Sequence, residues 1–306
     1  MPSHVFKTYH KRFFFRPDAG VAREIAGLDA KRDCQRIVHL LTAYEFPWDY
    51  QRALELALFY TYGSASVSKV LNATGQFSKS GQKRYDDTRL LMTHIMDSGW
   101  DGDFGRRALE RVNKSHGHYR IAQDDFLFVL WTFIEFPIRW TTHFGKRPMT
   151  PHEQQAWFHF WSGLGERMNL TGIPESKLAY DLWVDNYKRK TFVPSDDSAQ
   201  VAAATLAIIE GWLPPVLRGK ASPVIYSLFD DDLPFLNAVK APVPLRYLRP
   251  LLEKALRAYA RLRRHVVTGP YPVLPDSPRN RTYGNRPYRI EDLRPDSLGK
   301  KEARQG

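Results

Sequence analysis

Between residues 22 and 266 the apolar residues recur at i, i+3, i+4 and i+7, and runs that alternate apolar and polar between turn signals are nearly absent. That period lines apolar side chains along one stripe of a helix and would scatter them over both faces of a strand, so the chain reads as all-α. The spacing predicts helices over 22–46, 48–62, 64–73, 81–98, 104–119, 124–140, 151–168, 175–190, 195–212, 223–228 and 244–266. Pro47, Gly63, Pro148, Pro194, Pro214 and Pro215 punctuate them, and Gly99, Gly102 and Gly105 mark a helix–helix turn.

A chain of 306 residues with 43% hydrophobic and 25% charged residues can bury a large core, which excludes a wholly disordered protein. No repeat and no Pro- or Ser-rich linker interrupts residues 21–268, so this stretch is expected to form one helical domain. A basic, aromatic arm precedes it at 1–20, and an irregular tail rich in Pro and Arg follows at 269–306. With no apolar period, the tail is expected to stay extended, burying too little surface to offset the entropy of ordering.

Forty-five Lys and Arg against 33 Asp and Glu give a net charge of +12. The surplus gathers at Lys7, Lys11, Arg12, Arg16 and Arg23, and again at Arg246, Arg249, Lys254, Arg257, Arg261, Arg263 and Arg264, opposed locally by Glu253. Such charge admits an anionic partner without naming it. Cys34 is the single cysteine, which excludes an intrachain disulfide, a four-cysteine zinc site and thioether-attached haem. The opening HVFKTYHKRFFFRP lacks the apolar run of a secretory signal. The most apolar stretch, 126–140, carries Glu135, Pro137 and Arg139 and falls short of the ~20 residues of a bilayer helix, so it is expected inside the protein. A cytoplasmic location follows as the expectation, with peripheral contact at a membrane as the variant that the charge allows.

On a helical wheel, residues 104–120 (FGRRALERVNKSHGHYR) place Leu109, Val112, His116 and Tyr119 on one stripe. Arg107, Arg111 and Lys114 fall opposite, with His118 towards their side, so His116 is the inward histidine. An inward imidazole is either a core side chain bonded to a backbone carbonyl or an axial ligand, and in the second case Gly117 beside it would let a flat ring approach.

In residues 81–98, Arg84, Asp87, Thr88, Leu91 and Ile95 share an inward stripe. Burying a guanidinium and a carboxylate costs several kcal/mol unless they pair. Either Arg84 bridges Asp87 as a structural pair, or the three polar groups cap an apolar cavity, with Arg84 as a fixed cation, Thr88 as a hydroxyl donor and Asp87 as an orienting or proton-transferring group. Glu135 lies among aromatic residues with Arg139 one turn on; an ion pair with Arg139 and an orienting bond to His116 are its two readings. His-Glu-x-x-His, Glu-x-x-His, Gly-x-Ser-x-Gly and the phosphate loop are all absent, which removes the commonest zinc, di-iron, acyl-transfer and nucleotide chemistries.

Four blocks, in order, carry a family resemblance: ALELALFYTYGSASVSKVLNATGQF at 53–77, KRYDDT at 83–88, RVNKSHGHYR at 111–120 and DDFLFVLWTFIEFPIRW at 124–140. They resemble the family that contains the bacterial rubber oxygenase (latex clearing protein) and the fungal MpaB-type oxygenase of mycophenolic acid biosynthesis, the MpaB branch more closely. LTAYEF and HEQQAWFHFWSGLGERM extend the likeness over most of residues 35–265. The resemblance implies a single all-α domain of the rubber-oxygenase type enclosing haem b, with the iron held by His116 and with Asn113 and Gly117 of the same block beside the cofactor. It places Arg84 and Thr88 on the distal side. Rubber oxygenase has arginine, lysine and threonine in that helix turn; here Asp87 stands in place of the lysine, as expected of the MpaB branch, which is membrane bound in fungi.

The function expected on these grounds is a haem b-dependent oxygenase that uses Arg84, Asp87 and Thr88 as catalytic groups. Its partners would be dioxygen and a hydrophobic, unsaturated, isoprenoid-like small molecule, with no specific nucleic acid, and the reaction would be oxidative cleavage. Two other readings stay open at this point: a non-catalytic basic helical protein that binds a membrane or nucleic acid, and a haem carrier or sensor.

Overall fold

Thr150 shows how this sequence starts a helix. Its hydroxyl accepts the Glu153 backbone N–H at 3.2 Å, the Glu153 carboxylate accepts the Thr150 N–H at 2.7 Å, and Pro151 fills the first helical position. Ser64, Ser176 and Ser195 cap three further helices through their hydroxyls. The computed structural model describes residues 19–244, 247–266, 281–284 and 286–295, and among them it has thirteen α-helices and no strand. In chain order these are α1 (Ala19–Gly27), α2 (Cys34–Leu40), α3 (Pro47–Thr61), α4 (Ala65–Thr74), α5 (Gln76–Ser98), α6 (Asp103–His116), α7 (Gln123–His143), α8 (Pro151–Arg167), α9 (Lys177–Thr191), α10 (Asp196–Trp212), α11 (Ala221–Ser227), α12 (Leu233–Ala238) and α13 (Leu248–Val266).

Three elements differ from the periodic expectation. The helix expected over 22–46 is broken between α1 and α2, where Asp29 Oδ1 accepts the backbone N–H groups of Lys31 at 3.0 Å and Arg32 at 2.7 Å, and after α2 it closes in a π-helical turn, Leu41–Glu45. Helix α5 begins at Gln76, ahead of the expected Gly81, and bends at Ser80, whose φ of −144° is not helical. Helix α12 was not foreseen; its six residues are too few to display a period, and Asp232 caps it by accepting the Phe235 N–H at 3.1 Å.

Helix α7 lies centrally and packs most extensively on α3, while α5 packs on α6. Phe128 and Ile134 of α7 are fully buried, as expected for the apolar stretch 126–140, and Tyr60 of α3 and Trp157 and Trp161 of α8 are among the largest buried side chains. Pro137 inside α7 has no N–H to offer the Phe133 carbonyl one turn back, and the Trp157 indole Nε1 donates to that carbonyl at 3.0 Å instead. Gly81 is where α5 meets α10: a Cβ there would sit 2.3 Å from Ile208 Cδ1. The turn into α6 is equally tight. Gly99 adopts φ 70°, and a Cβ on Gly105 would lie 1.9 Å from the Gly99 carbonyl oxygen.

Two further expectations need correction. The basic run of α13 is not opposed by Glu253 alone, because Arg249 also reaches Asp230 at 2.6 Å and Asp231 at 2.8 Å, and Arg257 donates to the His143 carbonyl at 2.5 Å. Arg249 and Arg257 therefore help to hold α13 to the domain. The tail was expected to stay extended, yet its described part, residues 281–284 and 286–295, is docked. Ile290 and Leu293 are buried at 3% and 1% exposure, Arg107 binds Glu291 through two nitrogens at 2.7 and 2.8 Å, and Tyr288 meets His94 at 2.9 Å. Specific polar anchors, invisible to a periodicity argument, hold this strap on α5 and α6. Most of the N-terminal arm, residues 1–18, lies outside the described residues.

Candidate active site

Helices α3 to α8 surround a cavity of about 210 Å³ with a mostly apolar wall. Val70 and Leu71 come from α4, Leu91 and Met92 from α5, Val129 and Leu130 from α7, and Trp161 and Leu164 from α8. Into this wall the fold brings His116, Arg84, Asp87 and Thr88 together, along with Val112 and Tyr119 of the His116 stripe. The helical period that selected these residues holds because α5 and α6 each turn one face to the cavity.

His116 ends α6. Its Nδ1 is buried with no hydrogen-bond partner among the described residues, and its ring meets Phe126 edge-on, with 5.2 Å between centroids. A core histidine bonded to a carbonyl is therefore not what is found. Burial, assisted by the charge of Arg84, pushes its pKa down to about 4, so the imidazole is neutral at neutral pH and keeps a lone pair to offer. His118 is exposed, with Nδ1 2.7 Å from the Lys114 carbonyl, in agreement with its place on the outer side of the wheel.

Arg84 Nη1 donates to Thr88 Oγ1 at 2.6 Å, and Thr88 Oγ1 donates in turn to the Arg84 carbonyl at 2.9 Å. The threonine thus fixes the guanidinium on its own helix turn. Asp87 does not pair with Arg84, as one sequence reading required. Its Oδ2 accepts from Lys83 Nζ at 2.7 Å and its Oδ1 accepts from the Tyr283 hydroxyl of the strap. Burial raises the pKa of this carboxyl despite those two partners.

Other expected residues lie elsewhere. Asn113 is turned to α8, where its Nδ2 donates to the Arg167 carbonyl at 3.0 Å, and Gly117 is exposed just past the end of α6, where the chain turns away; neither lines the cavity. Arg111 was expected on the solvent side but is buried at 5% exposure, because the strap covers that flank of α6; its Nε and Nη2 reach Ser115 Oγ at 3.3 and 3.2 Å. Glu135 pairs with Lys177 of α9, and Arg139 pairs with Asp231 at 3.2 Å, so Glu135 neither pairs with Arg139 nor orients His116.

The cavity also holds residues that sequence reasoning missed. Asp125, at the start of α7, is buried and accepts from Ser66 Oγ at 2.6 Å and Tyr187 OH at 2.5 Å. Its i, i+4 spacing from Val129 was the available signal. Leu293, Arg294 and Pro295 of the strap complete the wall. No local pattern could have announced them.

The site is thus an apolar cavity in a helical domain, with one neutral imidazole and one tethered guanidinium in its wall. Residues 50–272 match the family described as “ER-bound oxygenase mpaB/B'/Rubber oxygenase, catalytic domain”, and the chain belongs to that family. It is 28% identical over 218 residues to the ER-bound oxygenase mpaB' of Penicillium brevicompactum, covering 65% of this chain and 52% of the relative. It is 26% identical over 245 residues to the ER-bound oxygenase mpaB of Penicillium roqueforti (strain FM164), covering 74% and 80% respectively. Against mpaB of Penicillium brevicompactum the identity is 28% over 183 residues, covering 54% and 47%. The chain therefore spans about half the length of the two Penicillium brevicompactum relatives. Among the described residues no helix is long and apolar enough to cross a membrane.

Proposed function

We propose that this chain is a haem b-dependent oxygenase acting on a hydrophobic, unsaturated, isoprenoid-like substrate by dioxygen-dependent oxidative cleavage. One observation carries the proposal: a neutral imidazole whose buried Nδ1 has no partner among the described residues lies in the wall of the same apolar cavity as a guanidinium tethered to Thr88. A buried polar atom left unpaired calls for a ligand, and haem with a single protein axial ligand needs one imidazole rather than a cluster of acids and cysteines. His116, the histidine in the cavity wall, is the residue that would hold the iron. When bound, haem supplies the one-electron and dioxygen chemistry that no side chain possesses.

The chain's own groups supply the rest. Arg84 places a permanent positive charge in a low-dielectric cavity, where it stabilises negative charge that develops on oxygen, and Thr88 holds it without a competing carboxylate. Asp87, set between Lys83 and Tyr283, keeps an ionisable oxygen at the wall and is the group placed to hold or pass a proton. The apolar lining receives the substrate and keeps bulk water from it.

The test is the visible spectrum and pyridine haemochrome of protein expressed with ample haem. Stoichiometric b-type haem is expected; His116→Ala should lose it or change its spectrum, and His118→Ala should do neither. A haem-free wild type, or the two histidines in exchanged roles, overturns the proposal.

A further inference from the structure

The family match ends at residue 272, yet the cavity wall does not. Residues 281–284 and 286–295 lie beyond it and are tied to α5 and α6 at several separate points. Thr282 donates to Asp86 Oδ2 from its backbone N–H at 2.9 Å and from its hydroxyl at 2.5 Å. Lys83 Nζ reaches the Arg294 carbonyl at 2.6 Å, and Tyr283 donates to Asp87 on the next turn of α5. Leu293 follows from these anchors: it is buried at 1% exposure, its N–H bonds the Ile290 carbonyl at 3.1 Å, and its side chain lines the cavity.

We propose that this strap is the specificity-determining part of the cavity, with Leu293 setting how much apolar ligand fits beside Asp87 and Tyr283 acting as the positioning residue that keeps Leu293 there. The inference rests on the reading that the cavity receives a hydrophobic ligand, and it concerns only its size. Leu293 lies beyond the residues matched to the family model, on a segment separate from α5 and α6, so its volume can change without altering Arg84, Thr88 or His116. Hydrophobic walls discriminate by fit: removing or adding side-chain volume shifts preference among homologous ligands, by about tenfold for one or two carbon atoms.

The experiment uses the 306-residue chain as purified, with Nile red as a neutral apolar probe and farnesol and geranylgeraniol as displacing ligands. Leu293→Ala should shift preference towards geranylgeraniol, and Leu293→Trp towards farnesol, each by about tenfold in the ratio of the two Kd values. Tyr283→Phe leaves the packing in place; it should narrow the ratio and speed hydrogen exchange at the Leu293 amide, which keeps the proposal testable if a Leu293 variant fails to fold. If Nile red binds but neither prenol displaces it, and Leu293→Trp weakens the dye, the strap is upheld and the isoprenoid reading falls. If the prenols bind and none of the three substitutions changes their ratio, the strap is refuted and the isoprenoid reading stands. A wild type that binds none of the probes overturns both.

Discussion

Lys83 joins two parts of the molecule, with Asp87 Oδ2 at 2.7 Å and the Arg294 carbonyl at 2.6 Å from one ammonium. Lys83→Met keeps the stem but leaves a buried carboxylate facing only a hydroxyl, and a loss of about 3 kcal/mol is expected in urea unfolding; a loss below about 1 kcal/mol would place the pair among inconsequential surface bridges. His94 makes a second residue-scale test. Burial first, and the charge of Arg107 second, lower its pKa from 6.5 to about 4. As pH falls the unfolded chain takes this proton before the folded one does, so stability is complete above pH 6.5 and drains between 6.5 and about 4. His94→Gln, which keeps a donor for Tyr288, should flatten the decline in Tm over that window, removing up to about 3 kcal/mol of pH dependence. An unchanged acid slope would show that other groups dominate. At this scale the sequence displayed what a single helix face displays: His116 over His118, and Arg84 with Thr88. It hid partners that are remote along the chain, such as Tyr283 for Asp87 and Lys177 for Glu135. It misjudged Arg111 because a wheel orients a residue within its own helix and is blind to what covers the other side.

Helices α7 and α8 are joined by a bond that compensates a covalent defect. Pro137 leaves the Phe133 carbonyl unclaimed within α7, and Trp157 of α8 claims it. Trp157→Phe retains most of the apolar volume and strands that carbonyl, so a loss of about 1–3 kcal/mol is expected by calorimetry. The paired variant with Pro137→Ala, which restores an N–H to the helix, should recover part of it, and failure to recover would show that the indole acts by packing alone. Thr150→Ala removes the hydroxyl half of the α8 capping box and should cost about 1 kcal/mol. Long periodic elements such as α7, α8 and α10 could be read within a few residues. The break after α1 could not, because it depends on a carboxylate capturing two nearby amides, and α12 lacked the length to show a period.

At the level of the whole molecule, the helices form a shell with one side finished by irregular chain. Cutting the chain after residue 280 removes the bonds to Asp86, Asp87, His94 and Arg107 together, and both the urea midpoint and the m value should fall, because less surface is buried and the remaining helices unfold less cooperatively. A truncated chain with an unaltered midpoint would show that the strap is merely laid on the surface. Its position also sets an order of events during translation. The ribosome completes α4 to α8 long before it releases residues 281–295, and domains begin to collapse while synthesis continues. The nascent protein therefore passes through an interval in which the helices are present but the part of the cavity wall formed by Leu293, Arg294 and Pro295 is not.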